Sequence, residues 1–259
     1  MANTIKFLGT AGARFVVARQ LRASGGLWLS LSDTNLLIDP GPGTLVKCAT
    51  SRPKLDPAKL DAIILTHRHL DHSSDINIMI EAMTEGGFKR RGYLFAPEDA
   101  LSDDPVILRY VRGFVESIET LQERGEYSVG KVRFNTPVRH VHGVETYGLN
   151  LRTDALSLSF IIDTRYFEGL EDHYNGDVVV LNLVRYKEDE RGEIDHLNVS
   201  DAEKLIGSIR PKVAIISHFG MTMIRARPWE VAAGIKERTG VEVIAARDGM
   251  EFDIDTIYS

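Results

Sequence analysis

One cysteine, Cys48, is all this chain contains, so no intrachain disulfide can form and no thiolate cluster can hold a metal. It lies in an apolar helical stretch, the setting of a buried structural thiol. Long hydrophobic runs are missing as well: none nears the roughly 20 residues that a membrane span requires. The opening Met1-Ala2-Asn3-Thr4 lacks the charged-then-apolar pattern of a secretory signal, and the chain reads as cytoplasmic, with no membrane partner. Positive charge is in deficit. The formal net charge of −6 disfavours a protein that grips long nucleic acid through its phosphates, while leaving small substrates open. Repeats, low-complexity segments and linkers are absent too. The 259 residues, 43% of them apolar, therefore suit a single domain, 1–259.

What the chain does have is histidine, concentrated in Leu65-Thr66-His67-Arg68-His69-Leu70-Asp71-His72-Ser73. The run Asp61 to Leu65 before it is short, β-branched and apolar, as in a buried strand, and Asp75 to Met83 after it has helical spacing. Three imidazoles and a carboxylate beside a buried strand each need a polar partner, and a borderline divalent cation supplies one to all four. In an extended loop His67 and His69 project to the same side and can grip one ion, while Asp71 and His72 fall around the bend and can face a second. A histidine-rich surface loop is the alternative.

His-x-His-x-Asp-His after an apolar strand resembles the signature of the metallo-β-lactamase superfamily of binuclear hydrolases, matching it at six positions without a gap. The resemblance implies an α+β fold, a four-layer αββα sandwich, with two metals at the open edge between its sheets. It also implies further ligand stations downstream. One lies in Arg139-His140-Val141-His142-Gly143, read as the end of a strand over Lys131 to Val141. Alternation puts His140 and His142 on one face and does not choose between them. The resemblance does: the phosphodiesterase branch places a short Ser/Thr-x-Gly segment after its third histidine, and Thr146-Tyr147-Gly148 stands at the better distance from His142. His140 is then an outer-shell candidate. Asp163, closing the apolar strand Leu156 to Ile162, matches the family's bridging carboxylate, with a helix N-cap as the alternative. His218, after the strand Val213 to Ser217, matches the last station.

Carried over position by position, the resemblance puts His67, His69 and His142 on one metal, Asp71, His72 and His218 on the other, and Asp163 between them. The ions are zinc by preference, with manganese or iron tolerated. Asp39 resembles the aspartate that orients a metal-bound imidazole through its far nitrogen, although an aspartate can equally stabilise a turn. His196 resembles the histidine that ribonuclease Z and the small cyclic phosphodiesterases place opposite their metals, where it donates a proton to the leaving oxygen; a helix-cap histidine is the other reading. His196 and Asp71 are the candidate catalytic residues. Arg14, Arg19 and Arg22 lie in an insertion, 14–25, expected to hang over the metal edge, and are candidate phosphate contacts.

The segment Val141-His142-Gly143-Val144 departs from the Gly-His-Thr-x-Gly usual in the thioesterase and lactam-cleaving branches. No long glycine- and proline-rich arm for transfer RNA is present. The expected activity is hydrolysis of a small phosphodiester such as a cyclic nucleotide or nucleotide-derived metabolite. A lactonase or other carboxylic ester hydrolase on the same metals is the second reading, and a non-catalytic metal- or nucleotide-binding module the third. The family often forms homodimers, but no stretch here declares an interface. Elsewhere the sequence predicts strands over 4–9, 27–31, 36–38, 92–96, 116–122, 145–151, 177–183, 241–245 and 250–254, a turn over Gly125 to Gly130, and helices to Ala49, from Asn198 or Ser200 to Ile209, and over Pro228 to Thr239. Residues 97–115 carry no clear pattern.

Overall fold

The computed structural model describes residues 3–188 and 194–258, so the charged loop expected over Lys187 to Glu193 lies partly outside the described residues. The chain opens with β1 (Thr4–Phe7), a short helix α1 (Ala13–Ala18) and the hairpin β2 (Leu27–Leu31) and β3 (Thr34–Ile38). Helix α2 (Thr44–Thr50), strand β4 (Ala62–Ile64), helices α3 (Leu70–Ser73) and α4 (Ile76–Met83), and strands β5 (Tyr93–Ala96) and β6 (Ser117–Thr120) follow. The second half holds β7 (Gly125–Val129), β8 (Val132–Thr136), β9 (Leu149–Arg152), β10 (Ser157–Ile161) and β11 (Val178–Asn182). It ends with α5 (Val199–Ile209), β12 (Val213–Ser217), α6 (Met221–Arg225), α7 (Pro228–Thr239), β13 (Glu242–Ala245) and β14 (Glu251–Asp253).

These strands form two mixed sheets, ordered β14-β1-β2-β3-β4-β5-β6 and β13-β12-β11-β10-β9-β8-β7. Three apolar clusters define four layers. Phe7, Leu29, Phe95, Leu149, Phe160 and Val180 pack between the sheets. Leu37, Ile63, Met79 and Leu94 fill the space under α2 and α4, and Val179, Ile206, Ile216 and Ile235 fill that under α5 and α7. The sequence reading of an αββα sandwich therefore holds. Strands buried on both faces, such as Val178–Asn182 and Val213–Ser217, read as continuous apolar runs because helices cover their outer sides. Helix α5 starts with a reciprocal cap in which Asn198 accepts from the backbone of Asp201 and Asp201 accepts from that of Asn198. Cys48 is buried, and burial with the nearby Asp75 charge pushes its thiol up to about 12, making it an unreactive core residue. No helix among the described residues is long and apolar enough to cross a membrane.

The topology chooses the edge at which chemistry sits. Strands β3 and β4 run parallel, with Ile38 opposite Ile64, and β10, β11 and β12 run parallel, with Ile161, Leu181 and Ile216 in register. Their carboxyl ends open at one edge, the usual place for a site in such sheets. Asp39, the His67 to His72 loop, Asp163 and His218 each follow one of these ends.

Two expectations are corrected. Gly125 to Val129 is a strand, β7, paired antiparallel with β8: Glu126, Tyr127, Ser128 and Val129 alternate as a half-buried strand does, and only the glycines at either end mark turns. The strand expected over Lys131 to Val141 stops at Thr136, because Pro137 has no N–H to continue the ladder. His140 and His142 thus sit on a loop, where strand alternation does not apply.

Phe160 is fully buried between the sheets, whereas Phe88 is 92% exposed. Phe160→Ala is expected to cost about 3–5 kcal/mol in urea unfolding, from lost burial plus a cavity. Phe88→Ala should stay within about 0.5 kcal/mol of the parent.

Candidate metal centre

The loop after β4 is turned inward by its neighbours. Asp39 Oδ1 accepts from the backbone N of Thr66 at 2.7 Å, and Oδ2 accepts from Thr66 Oγ1 at 2.7 Å and His72 Nδ1 at 2.9 Å. Thr66 gives its one hydroxyl proton to Asp39, so it can only accept from His67 Nδ1, 3.2 Å away. Both histidines are thereby held with the proton on Nδ1 and the Nε2 lone pair facing the interior. His142 is held the same way, donating from Nδ1 to the Asp195 carbonyl at 3.0 Å.

The inward nitrogens form two groups. His142 Nε2 lies 3.0 Å from His69 Nδ1, with His67 in the same set. His218 Nε2 lies 3.3 Å from His72 Nε2 and 3.6 Å from Asp71 Oδ2, which is 3.8 Å from His72 Nε2. Between them stands Asp163 Oδ2, at 3.4 Å from His218, 3.5 Å from His72, 3.9 Å from His67 and 4.0 Å from His142. Its other oxygen accepts from Asn182 Nδ2 at 2.9 Å, so Asp163 is not capping a helix. Ligands about 2.0–2.1 Å from a tetrahedral zinc lie roughly 3.3 Å apart, and the atoms of each group lie within 4.8 Å of one another. His67 Nε2 is fully buried and, among the described residues, has no hydrogen-bond partner. A buried imidazole lone pair left so is what a cation satisfies. The donor set therefore fits divalent metal.

Charge is divided unevenly. Burial lowers His67 well below its ordinary range and His69 to about 4, and neighbouring histidines add to the effect, so both are neutral near pH 7. Burial also opposes charge on His72, but Asp71 and Asp39 outweigh it and raise His72 well above 6.5. Asp163 is opposed by burial yet held well below its usual range, because His218, His196 and the other imidazoles surround it.

His196 Nδ1 lies 3.6 Å from Asp163 Oδ2, is buried and has no hydrogen-bond partner among the described residues. Burial holds it below its ordinary pKa, with Asp163 acting in the opposite sense. His140 points away from the centre, its Nε2 2.6 Å from the Tyr174 hydroxyl. The arginine-bearing insertion includes α1, which packs against α3 and α6. Arg14 and Arg19 are exposed, whereas Arg22 donates to Thr10 Oγ1 at 2.9 Å and its guanidinium lies over the Phe219 ring. Gly12, just before the insertion, is required for the close approach to His218, since a Cβ there would lie 2.1 Å from the His218 carbonyl oxygen. Sequence reasoning missed Thr66 and Asp195: the first carried no signal beyond its place before His67, and the second acts through its carbonyl, which any residue has.

Two outcomes follow for the metal-free chain. Zinc entering the His67, His69 and His142 group at pH 7 should release no proton from His67 or His69. Entry at Asp71, His72 and His218 should release the proton held by His72, so affinity there rises with pH. Calorimetry in buffers of different ionisation enthalpy separates the two. Asp39→Ala should weaken zinc at the second group by about 10–100-fold, read by chelator competition, because His72 loses its orienting carboxylate.

Comparison with known proteins agrees with this geometry. Residues 34–219 match the family model described as the beta-lactamase superfamily domain. An uncharacterised protein of Methanocaldococcus jannaschii, MJ1374, is 28% identical over 98% of this chain and 96% of its own length. The metallo-β-lactamase fold protein YhfI of Bacillus subtilis superposes with a TM-score of 0.79 at 18% identity, covering 97% of this chain and 99% of YhfI. A diphosphatase of the PhnP family superposes at 0.69 and 18% identity, covering 97% of each chain. With the family model spanning most of the chain and the His/Asp groups assembled at the sheet edge, this protein is a member of the metallo-β-lactamase superfamily of metal-dependent hydrolases.

Proposed function

We propose that the protein is a binuclear metallohydrolase of small phosphodiesters, with His67, His69 and His142 holding one ion, Asp71, His72 and His218 the other, and Asp163 bridging. The observation that carries the reading is the single oxygen, Asp163 Oδ2, within 4.0 Å of four imidazole nitrogens drawn from both groups. Two divalent ions, zinc by preference, supply an acidified water and a Lewis acid for the attacked group. The chain's own residues do the rest. Asp39, Thr66 and the Asp195 carbonyl fix the ligand rings, and His196 stands on the open side to assist the leaving oxygen.

A diester is favoured over a lactone by the place of His196: its Nδ1 has no hydrogen-bond partner among the described residues and lies 3.6 Å from Asp163 Oδ2, where it can serve a leaving oxygen that needs a proton. Leu70 beside Asp71, Val141 beside His142, and Ile194 near His196 are exposed apolar side chains next to the centre in sequence, which suits a substrate with an apolar or aromatic portion. A nucleotide-derived diester combines both features.

Elemental analysis paired with hydrolysis of bis(p-nitrophenyl) phosphate and of a generic lactone tests the reading. The expected result is about two metals per chain and diester cleavage, both lost in Asp163→Ala. His196→Ala should keep its metals and lose about 10²–10⁴ in rate. Lactone cleavage alone would move the protein to the ester-hydrolase reading, and full diester activity in His196→Ala would remove the proton-donor role.

A further inference from the structure

The His196 segment is tied to the metal centre by a pair of charges outside the ligand set. Arg165 Nε donates to Asp195 Oδ1 at 2.8 Å. Arg165 lies two residues after Asp163, and its backbone N donates to the Val141 carbonyl at 3.0 Å. The backbone N of Val141 in turn donates to Thr164 Oγ1 at 3.1 Å, so the segments bearing His142 and Asp163 are laced together. Asp195 closes the ring twice: its carbonyl accepts from His142 Nδ1, and the next residue is His196, whose Nδ1 faces Asp163. On the far side the turn is anchored by Leu197, which is buried and whose carbonyl accepts from Arg185 N at 3.2 Å.

We infer that Arg165 and Asp195 are positioning residues whose ion pair sets two things at once: the orientation of His142, and the place of His196 over the centre. The pair is half exposed on the arginine side and mostly covered on the aspartate side, so its contribution to folding is small. Its leverage is geometric. Releasing Asp195 frees the carbonyl that fixes the His142 proton on Nδ1, and a ring free to rotate or change tautomer binds metal less well. The inference rests on His142 being a metal ligand and does not depend on the substrate.

The test compares Arg165→Gln, Asp195→Asn and the double variant, with Arg227→Gln, which breaks an exposed ion pair to Glu230, as control. Zinc affinity is read by chelator competition, and the His142 Nδ1–H by nitrogen-15 NMR of the metal-free chain. Each single variant is expected to weaken one zinc by about threefold to tenfold and to broaden or lose the His142 Nδ1–H signal. The double variant should be no worse than either single, because both remove the same link. Exchanging the charges, Arg165→Asp with Asp195→Arg, should restore at least half of the lost affinity, which a merely structural perturbation would not. Parental zinc affinity in both single variants, losses that add, or an equal loss in Arg227→Gln would overturn it. Unchanged zinc content in Asp163→Ala would instead sink the underlying site assignment, a separate result.

Discussion

A carboxylate oxygen ringed by imidazole nitrogens is the constraint on which the structure turns. Asp163 is almost fully buried, and five histidines approach its Oδ2 within 4.0 Å. A buried charge is costly unless paired, and imidazole lone pairs aimed at one another are mutually unfavourable. The residues behind them answer that conflict. Three of the far nitrogens meet a fixed acceptor, Asp39 for His72, Thr66 for His67 and the Asp195 carbonyl for His142, so those rings cannot turn to relieve it. What remains is a preformed arrangement of donors whose partner is a cation.

Holding that arrangement strains the backbone at its two most constrained points. Asp39 and His218 adopt positive φ of 52° and 59°, a region non-glycine residues avoid at a cost of order 1–3 kcal/mol each. Both directly follow strands in the buried parallel pairs, where packing on two sides leaves no freedom to relax. Gly41 shows the same economy of space: a Cβ there would lie 2.0 Å from the Asp71 carbonyl oxygen. The sandwich thus serves as the rigid body against which a strained, electrostatically unfavourable edge is maintained.

The legible parts of the site are those encoded locally. His67, His69, Asp71 and His72 lie within six positions on one strand-to-helix loop, so spacing alone brings them together. Asp163 and His218 are marked by apolar runs that end in a polar residue, and the parallel topology then carries those ends to one edge. The choice between His140 and His142 was not legible from alternation, because Pro137 had already ended the strand on which alternation would operate. The structure brings His142 to His69 and turns His140 to Tyr174, a difference set by loop contacts remote in sequence. Strand β7 was obscured by flanking glycines, which signal turns whether or not a strand lies between them. Asp195 had no signal to find, since its contribution to His142 is a backbone carbonyl.

The same logic separates what this scaffold must keep from what it can vary. The rings of His67, His72 and His142 point inward and are each fixed by a second contact, so substitution there disturbs several groups together. Leu70, next to Asp71, Val141, next to His142, and Ile194, two residues before His196, have exposed side chains. A change of side chain at those positions alters the surface and leaves the inward donor atoms in place. The scaffold thus separates inward donors that bear on one another from exposed apolar side chains beside them in sequence.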